Sequence, residues 1–314
     1  MAQLSSNSFK VTSMSIDQLN KEHAIADHLK FIKGRGGFPF ILIKNASATA
    51  LVSLYAAQVL SFQPVDEPED LLFLSQKSQY NNGKAIRGGI PICWPWFGLD
   101  LNDPDGPSHG FVRNGLWTVL ATEAPSENET KIKLRFKASL HSEQYWRQPF
   151  TLDLDISVSQ TLTLQLVTHN SSNQKFTITQ ALHAYLNIGK IDNIKIFGFE
   201  DTRYLDKLDN GTQKYQKTAI TVNNKIDRIY KNVQKKLIID DTFFNRQIII
   251  TSTTNKTAVV WNPWTPASAT IPDLSDDDYQ HFICVEAGNV GTDIVEIQPE
   301  SQYNFSTNYK IIRN

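Results

Sequence analysis

Apolar residues recur at every second position over long runs of this 314-residue chain. In Lys131-Ile-Lys-Leu-Arg-Phe-Lys137 they alternate strictly with charge. Leu152, Leu154, Ile156 and Val158 share one face of the next run, and Leu162, Leu164 and Leu166 share one face of the run after it. Near the C-terminus Tyr303, Phe305, Tyr309 and Ile311 oppose Asn304, Ser306, Asn308 and Lys310. A period of two fits a pleated strand, and alternation with polar residues gives the one wet face of an antiparallel sheet. Asn82-Gly83 and Asn210-Gly211 supply turn chemistry between runs. Helical patterning is confined to residues 16–31, through Ile16, Leu19, Ile25 and Leu29, and to one turn in the acidic stretch Pro272–Tyr279. The charged stretch Glu200–Lys217 reads as a surface excursion. The expected fold is all-β, one antiparallel β-sandwich domain over residues 1–314 with no repeat and no linker.

Lysine and arginine number 31 against 32 acidic residues, a formal charge of −1. That balance argues against a nucleic-acid or membrane-surface binder, which needs a basic excess. No run is apolar long enough to span a bilayer. The start, Met1-Ala-Gln-Leu-Ser-Ser, lacks the basic-then-apolar pattern of a signal peptide. Two cysteines, Cys93 and Cys284, allow one disulfide at most, and a reducing compartment is the simpler reading. The expected location is cytoplasmic. Six Asn-x-Ser/Thr triplets read as chance in an Asn- and Thr-rich chain.

Chemistry concentrates in Lys84-Ala-Ile-Arg-Gly-Gly-Ile-Pro-Ile-Cys-Trp-Pro-Trp-Phe-Gly98 and His109-Gly-Phe-Val-Arg113. Both lie in the irregular span from Phe62 to Asn114, and long loops of that kind are often functional. Glycines allow backbone to approach a ligand closely. Trp94 and Trp96 offer flat faces for a sugar ring. Arg87 and Arg113 stand in a charge-poor loop and can grip a carboxylate or phosphate with paired hydrogen bonds, although surface ion pairs are the commoner use of arginine. Lys84 follows a turn and serves equally well as a solvated turn lysine. His109 gains interest only from its closeness to Arg113.

Two apolar segments each carry one ionisable residue. Thr177–Asn187 reads as a central strand, with His183 on the face of Ala181 and Tyr185. A lone histidine there is more often a satisfied core residue. His281–Asn289 reads as another, with Glu286 on the face of Cys284. A buried carboxylate is costly unless paired, and its pKa rises toward a value useful to a general acid or base. A structural ion pair is the competing reading. Together they form a candidate acid/base pair on opposite sides of one pyranose. Asp227 offers a carboxylate for hydroxyls or a surface partner for Arg228. Trp261, in Trp261-Asn-Pro-Trp264, either packs a core or lines a sugar site. No phosphate-binding loop, dinucleotide glycine motif, nucleophile elbow or zinc spacing is present, so no metal is expected.

Taken in order, Leu71–Ser75, Ala85–Pro91, Pro95–Gly98, His109–Arg113, Ala181–Tyr185, Tyr204–Lys207, Asp227–Tyr230, Trp261–Trp264 and Cys284–Val290 resemble the hexose-6-phosphate mutarotases of the aldose 1-epimerase superfamily. The resemblance implies a β-supersandwich like that of galactose mutarotase. It implies that His183 protonates the ring oxygen while Glu286 takes the C1 hydroxyl proton, with roles exchanged on ring closure. It further implies that His109 binds substrate, that Asp227 holds hydroxyls, and that Arg87 and Arg113 hold the 6-phosphate. Two departures stand out. Thr265–Thr270 lacks a lysine common in the family, and Leu54-Tyr-Ala-Ala-Gln58 replaces a His-Gly pair.

The expected activity is anomer interconversion of glucose 6-phosphate and similar hexose 6-phosphates. Anomerisation is two proton transfers without redox, so no cofactor is expected. The expected partner is the sugar phosphate alone, with the protein a monomer. A non-catalytic sugar-phosphate-binding or carbohydrate-binding protein on the same fold is the alternative, and an epimerase of unphosphorylated aldoses is disfavoured by the loop arginines.

Overall fold

A computed structural model describes residues 14–313 except 101, 102, 139 and 266. The N-terminal hexapeptide read above lies outside the described residues. Two eight-stranded antiparallel sheets form the body. The first runs Ile194–Phe197, Lys236–Asp241, Arg246–Thr253, Gln302–Arg313, Leu162–Asn170, Phe150–Val158, Glu129–Lys137 and Thr118–Ser126 in spatial order. The alternating runs of the sequence lie here. Leu152, Leu154, Leu162, Leu164, Phe305 and Tyr309 are buried, while Lys131, Lys133 and Lys310 face water or lie near it.

The second sheet carries Thr212–Gln216, Thr202–Asp206, Ile226–Lys231, Thr257–Asn262, Phe282–Asn289, Gln180–Leu182 and Ile92–Cys93, with Tyr185–Asn187 also paired to Phe282–Asn289. The charged excursion is therefore a hairpin, Thr202–Asp206 with Thr212–Gln216, at this sheet's edge. Ile226, Tyr230, Ala258, Val260, Ile283 and Val285 share one buried cluster with the leucines of the first sheet, so the two sheets pack as a sandwich. Every residue of Phe282–Asn289 is buried, because its other face is covered as well.

The helical expectation for 16–31 is half right. The helix covers Ile16–His23, opened by a reciprocal cap between Ser15 and Gln18. Asp27 then takes a left-handed φ of 61°, and Leu29–Lys33 becomes a strand paired with Pro39–Lys44. Leu29 and Phe31 fill the core from one strand face, and the Asn20 side chain bonds both backbone groups of Phe31 at 2.8 Å. The acidic turn forms as a 3-10 turn displaced to Asp278–His281.

Between Pro64 and Val112 the described residues hold only the two-residue strand Ile92–Cys93. The Gln58 amide donates to the carbonyls of Ile86 and Gly88, at 3.2 and 2.6 Å, and anchors the segment that carries Arg87. The Leu54–Gln58 departure thus supports the arginine loop. The glycines there serve backbone crossings rather than ligand approach: a Cβ on Gly89 (φ 61°) would lie 2.2 Å from the Val59 carbonyl oxygen.

Candidate active site

Strand register builds one wall of a cavity of about 340 Å³. Asp227 pairs with Trp261, Trp261 with Cys284, and Cys284 with Tyr185, a row across four strands. Glu286 follows two residues beyond Cys284, opposite Val259. Residues two apart point to the same sheet face, so Asp227, Trp261, Tyr185 and Glu286 all open on the side away from the shared core. The expected strand Thr177–Asn187 is broken into Phe176–Ile178, Gln180–Leu182 and Tyr185–Asn187. His183 sits in the last break, its backbone N–H donating to the Pro91 carbonyl at 2.9 Å. Its ring stacks on Tyr185 at 4.9 Å with an 11° tilt, so the face assignment from alternation holds.

The loops supply the facing wall. Arg87, His109 and Arg113 line the same cavity as His183, Asp227, Trp261 and Glu286, so all seven sequence candidates meet. Lys84 does not line it; Lys84 is exposed and its carbonyl accepts from the Tyr55 hydroxyl. Trp94 and Trp96 are not sugar platforms. Trp94 is fully buried and donates to Thr168 Oγ1 at 3.0 Å across the sandwich, and Trp96 donates to the Pro107 carbonyl. Their large apolar surfaces close the core, and Trp261 is the indole on the cavity.

At the centre His183 Nε2 lies 3.3 Å from Glu286 Oε1. The two side chains are neighbours, so no pyranose fits between them as the sequence reading had it. Glu286 is 1% exposed and His183 8%. Burial drives the Glu286 carboxyl well above its usual range, with the nearby Asp227 charge adding to the rise. Burial drives His183 well below its usual range, reinforced by His109, Arg113 and Arg87. Glu286 Oε2 and His183 Nδ1 have no hydrogen-bond partner among the described residues.

His109 has a left-handed φ of 61° and sits with its ring 5.7 Å from that of His183. Its Nδ1 accepts from the Gly98 backbone N–H at 3.3 Å, which leaves Nε2 to carry the hydrogen. Burial, then Arg113 and Lys207, push its pKa down to about 3. The imidazole so held keeps one ring N–H, on Nε2, free to donate.

Arg87 donates through Nε to Asp273 at 3.0 Å and through Nη1 to the Tyr185 hydroxyl at 2.9 Å. Arg113 donates through Nη2 to the Ser108 carbonyl at 2.7 Å, and its buried Nε has no partner among the described residues. Lys207 Nζ stands 3.5 Å from Asp227 Oδ2, and burial still holds that carboxyl above its ordinary range. The cavity thus gathers cations although the chain as a whole is nearly neutral. Tyr185 and Lys207 also line the cavity and Asp273 holds Arg87, and none of the three is among the sequence candidates. Tyr185 was legible, two residues beyond His183 on one face. Asp273 was not, because nothing in the sequence links residue 273 to residue 87.

A second concavity, about 390 Å³, lies on the outer face of the other sheet, among Lys131, Lys133, Asp155 and Gln165. Lys133 pairs there with Asp155 at 3.3 Å, and Lys131 with the neighbouring Glu129 at 3.4 Å. It gathers no buried ionisable pair.

The sequence profile of the aldose 1-epimerase family matches residues 39–310. This chain belongs to that family. The family is one of sugar epimerases, and the chain is accordingly an isomerase. A Salmonella typhimurium protein provisionally named glucose-6-phosphate 1-epimerase is 36% identical over 249 residues, 78% of this chain and 81% of the relative. A protein of the same provisional name from Cenchrus ciliaris is 30% identical over 272 residues, 83% of this chain and 81% of the relative. A crystal structure of a provisionally assigned Salmonella typhimurium mutarotase superposes with a TM-score of 0.87 at 30% identity, covering 93% of this chain and 96% of that one. A galactose mutarotase-like protein from Clostridium acetobutylicum shares the fold, at a TM-score of 0.69 and 14% identity over 91% of this chain and 98% of that one. The mutarotase-like β-sandwich expected from the sequence is the fold observed.

Proposed function

We propose that the protein interconverts the α and β anomers of glucose 6-phosphate and similar hexose 6-phosphates. The observation that carries this reading is the opening of the His183–Glu286 pair into the same cavity as Arg87 and Arg113. Ring opening needs a proton delivered to the ring oxygen and another removed from the C1 hydroxyl. Both oxygens are bonded to one carbon, so the acid and the base must stand side by side, as these two groups do. His183 delivers, Glu286 receives, the C1–C2 bond turns, and closure returns both protons by the reverse steps.

The phosphate sets the charge state as well as the affinity. Without substrate, burial favours a protonated Glu286 and a neutral His183. Arg87 and Arg113 add to that bias on the imidazole. A phosphate dianion on those guanidiniums offsets their field and raises the His183 pKa toward a value at which the imidazole can hold the proton, although it also offsets the lowering that Arg113 exerts on Glu286. Remote binding energy from the phosphate is thereby spent at C1. His109 and Asp227 orient hydroxyls, and Trp261 packs against the ring.

Saturation-transfer NMR on glucose 6-phosphate and on glucose tests the reading. Faster exchange on the phosphosugar supports it. Binding of glucose 6-phosphate without exchange makes the protein a sensor, and equal rates on the two sugars remove the phosphate assignment.

A further inference from the structure

We propose that His183, Cys284 and Glu286 form a binding site for a thiophilic divalent cation such as Zn²⁺ or Cd²⁺, which inhibits the enzyme by seizing its acid/base pair. Inhibition rests on the proton chemistry proposed above; binding does not. A ring nitrogen of His183, the Cys284 sulfur and a Glu286 carboxylate oxygen all lie within 4.8 Å of one another. Tetrahedral zinc takes nitrogen and oxygen at about 2.0–2.2 Å and sulfur at about 2.3 Å, which sets donors roughly 3.3–3.8 Å apart. The His183–Glu286 separation, 3.3 Å, already meets that spacing. The sulfur needs a shift of no more than about 1 Å to complete it.

Register explains the convergence. Cys284 and Glu286 are two apart on one face of Phe282–Asn289, and Cys284 pairs with Tyr185, whose ring stacks on His183. Two polar atoms of the cluster, Glu286 Oε2 and His183 Nδ1, are buried and unpartnered among the described residues. Imidazole, thiolate and carboxylate are donors that zinc accepts; His183 and Glu286 line the cavity, while Cys284 offers its sulfur from the fully buried side. Thiolate and carboxylate together cancel the two charges of the ion, which offsets the repulsion from Arg87, Arg113 and Lys207. The thiol proton and the proton held by the His183–Glu286 pair pass to solvent as the ion binds. Sequence spacing could not show this set, because the donors come from two distant segments.

The test uses Cd²⁺ and Zn²⁺ on the intact protein. Cd²⁺ is expected to produce a thiolate-to-cadmium ultraviolet absorption band in the wild type and in Cys93→Ala, and none in Cys284→Ala or Cys284→Ser. Zn²⁺ is expected to stop anomer exchange reversibly, with recovery on chelation. In Cys284→Ala exchange persists and half-inhibition needs at least about tenfold more Zn²⁺, since loss of even an outer partner commonly costs that much affinity. No band in the wild type, or a band and inhibition that survive loss of Cys284, would overturn the site. A cadmium band in a protein that exchanges no anomers would instead leave the site standing and remove the proposed activity.

Discussion

Glu286→Gln separates catalysis from folding. A protonated carboxyl and an amide have nearly the same shape, so the substitution keeps the packing of a side chain that is 1% exposed. It removes the group that accepts the C1 hydroxyl proton. One positioned base is worth about 10²–10⁴-fold, or roughly 3–5 kcal/mol of barrier. Exchange on glucose 6-phosphate should fall by that factor while binding persists, because Arg87 and Arg113 are untouched. Stability should move the other way. The folded-state pKa of Glu286 is raised. Below the ordinary value of 4.5 both folded and unfolded chains hold the proton, and the carboxyl adds no penalty. Above 4.5 the unfolded chain releases the proton and the folded chain resists, so the wild type loses stability as pH climbs toward the folded pKa. The variant escapes that loss. Paired denaturant melts at pH 7 and pH 4, read beside saturation-transfer NMR, should show Glu286→Gln more stable at pH 7 and level with the wild type at pH 4. A variant that exchanges anomers normally, or that is destabilised at pH 7, would refute the assignment of a buried, strained base.

Arg87→Ala should raise KM for glucose 6-phosphate about ten- to hundredfold, the weight of a hydrogen bond to a charged group, with little effect on glucose; initial rates over a range of each sugar check it. Tyr185→Phe keeps the stack on His183 and deletes the acceptor of Arg87, so KM for the phosphosugar should rise severalfold, less than for Arg87→Ala because Asp273 still holds the guanidinium at 3.0 Å. A fall in kcat instead would place Tyr185 in the proton chemistry. Inorganic phosphate should raise the pKa of His183, read from imidazole ¹⁵N shifts, and should raise it less in Arg87→Ala, where Arg113 alone remains to hold the anion. Gly110→Ala should lose stability by more than about 1 kcal/mol in a denaturant melt, since its φ is 74° and the new methyl would lie 1.8 Å from the Trp94 carbonyl oxygen.

The sheets were legible because period-two patterning is a direct image of one-sided burial, as in Lys131–Lys137. The pairing order was not, since alternation says which face a residue takes and nothing about its neighbour. His183 and Glu286 could be singled out as ionisable groups in apolar runs. Their contact, and the break that frees His183 from the sheet, depend on register between distant segments. Trp94 and Trp96 misled because an indole beside glycine and proline suits a ligand platform and a core plug equally, and only the partner decides. Residues 24–31 misled because Ile25 and Leu29 fit a helical period, while Phe31 and the Asn20 bridge favour a strand. Asp273 escaped because long-range ion pairs leave no trace in local composition.

A crystal structure of Glu286→Gln soaked with glucose 6-phosphate tests the central claim most directly. The phosphate oxygens should sit on Arg87 and Arg113, and the ring oxygen and O1 should lie about 2.6–3.2 Å from His183 Nε2 and the residue-286 side chain. A sugar bound with its phosphate beside residue 286, or lodged in the groove by Lys131 and Gln165, would contradict it.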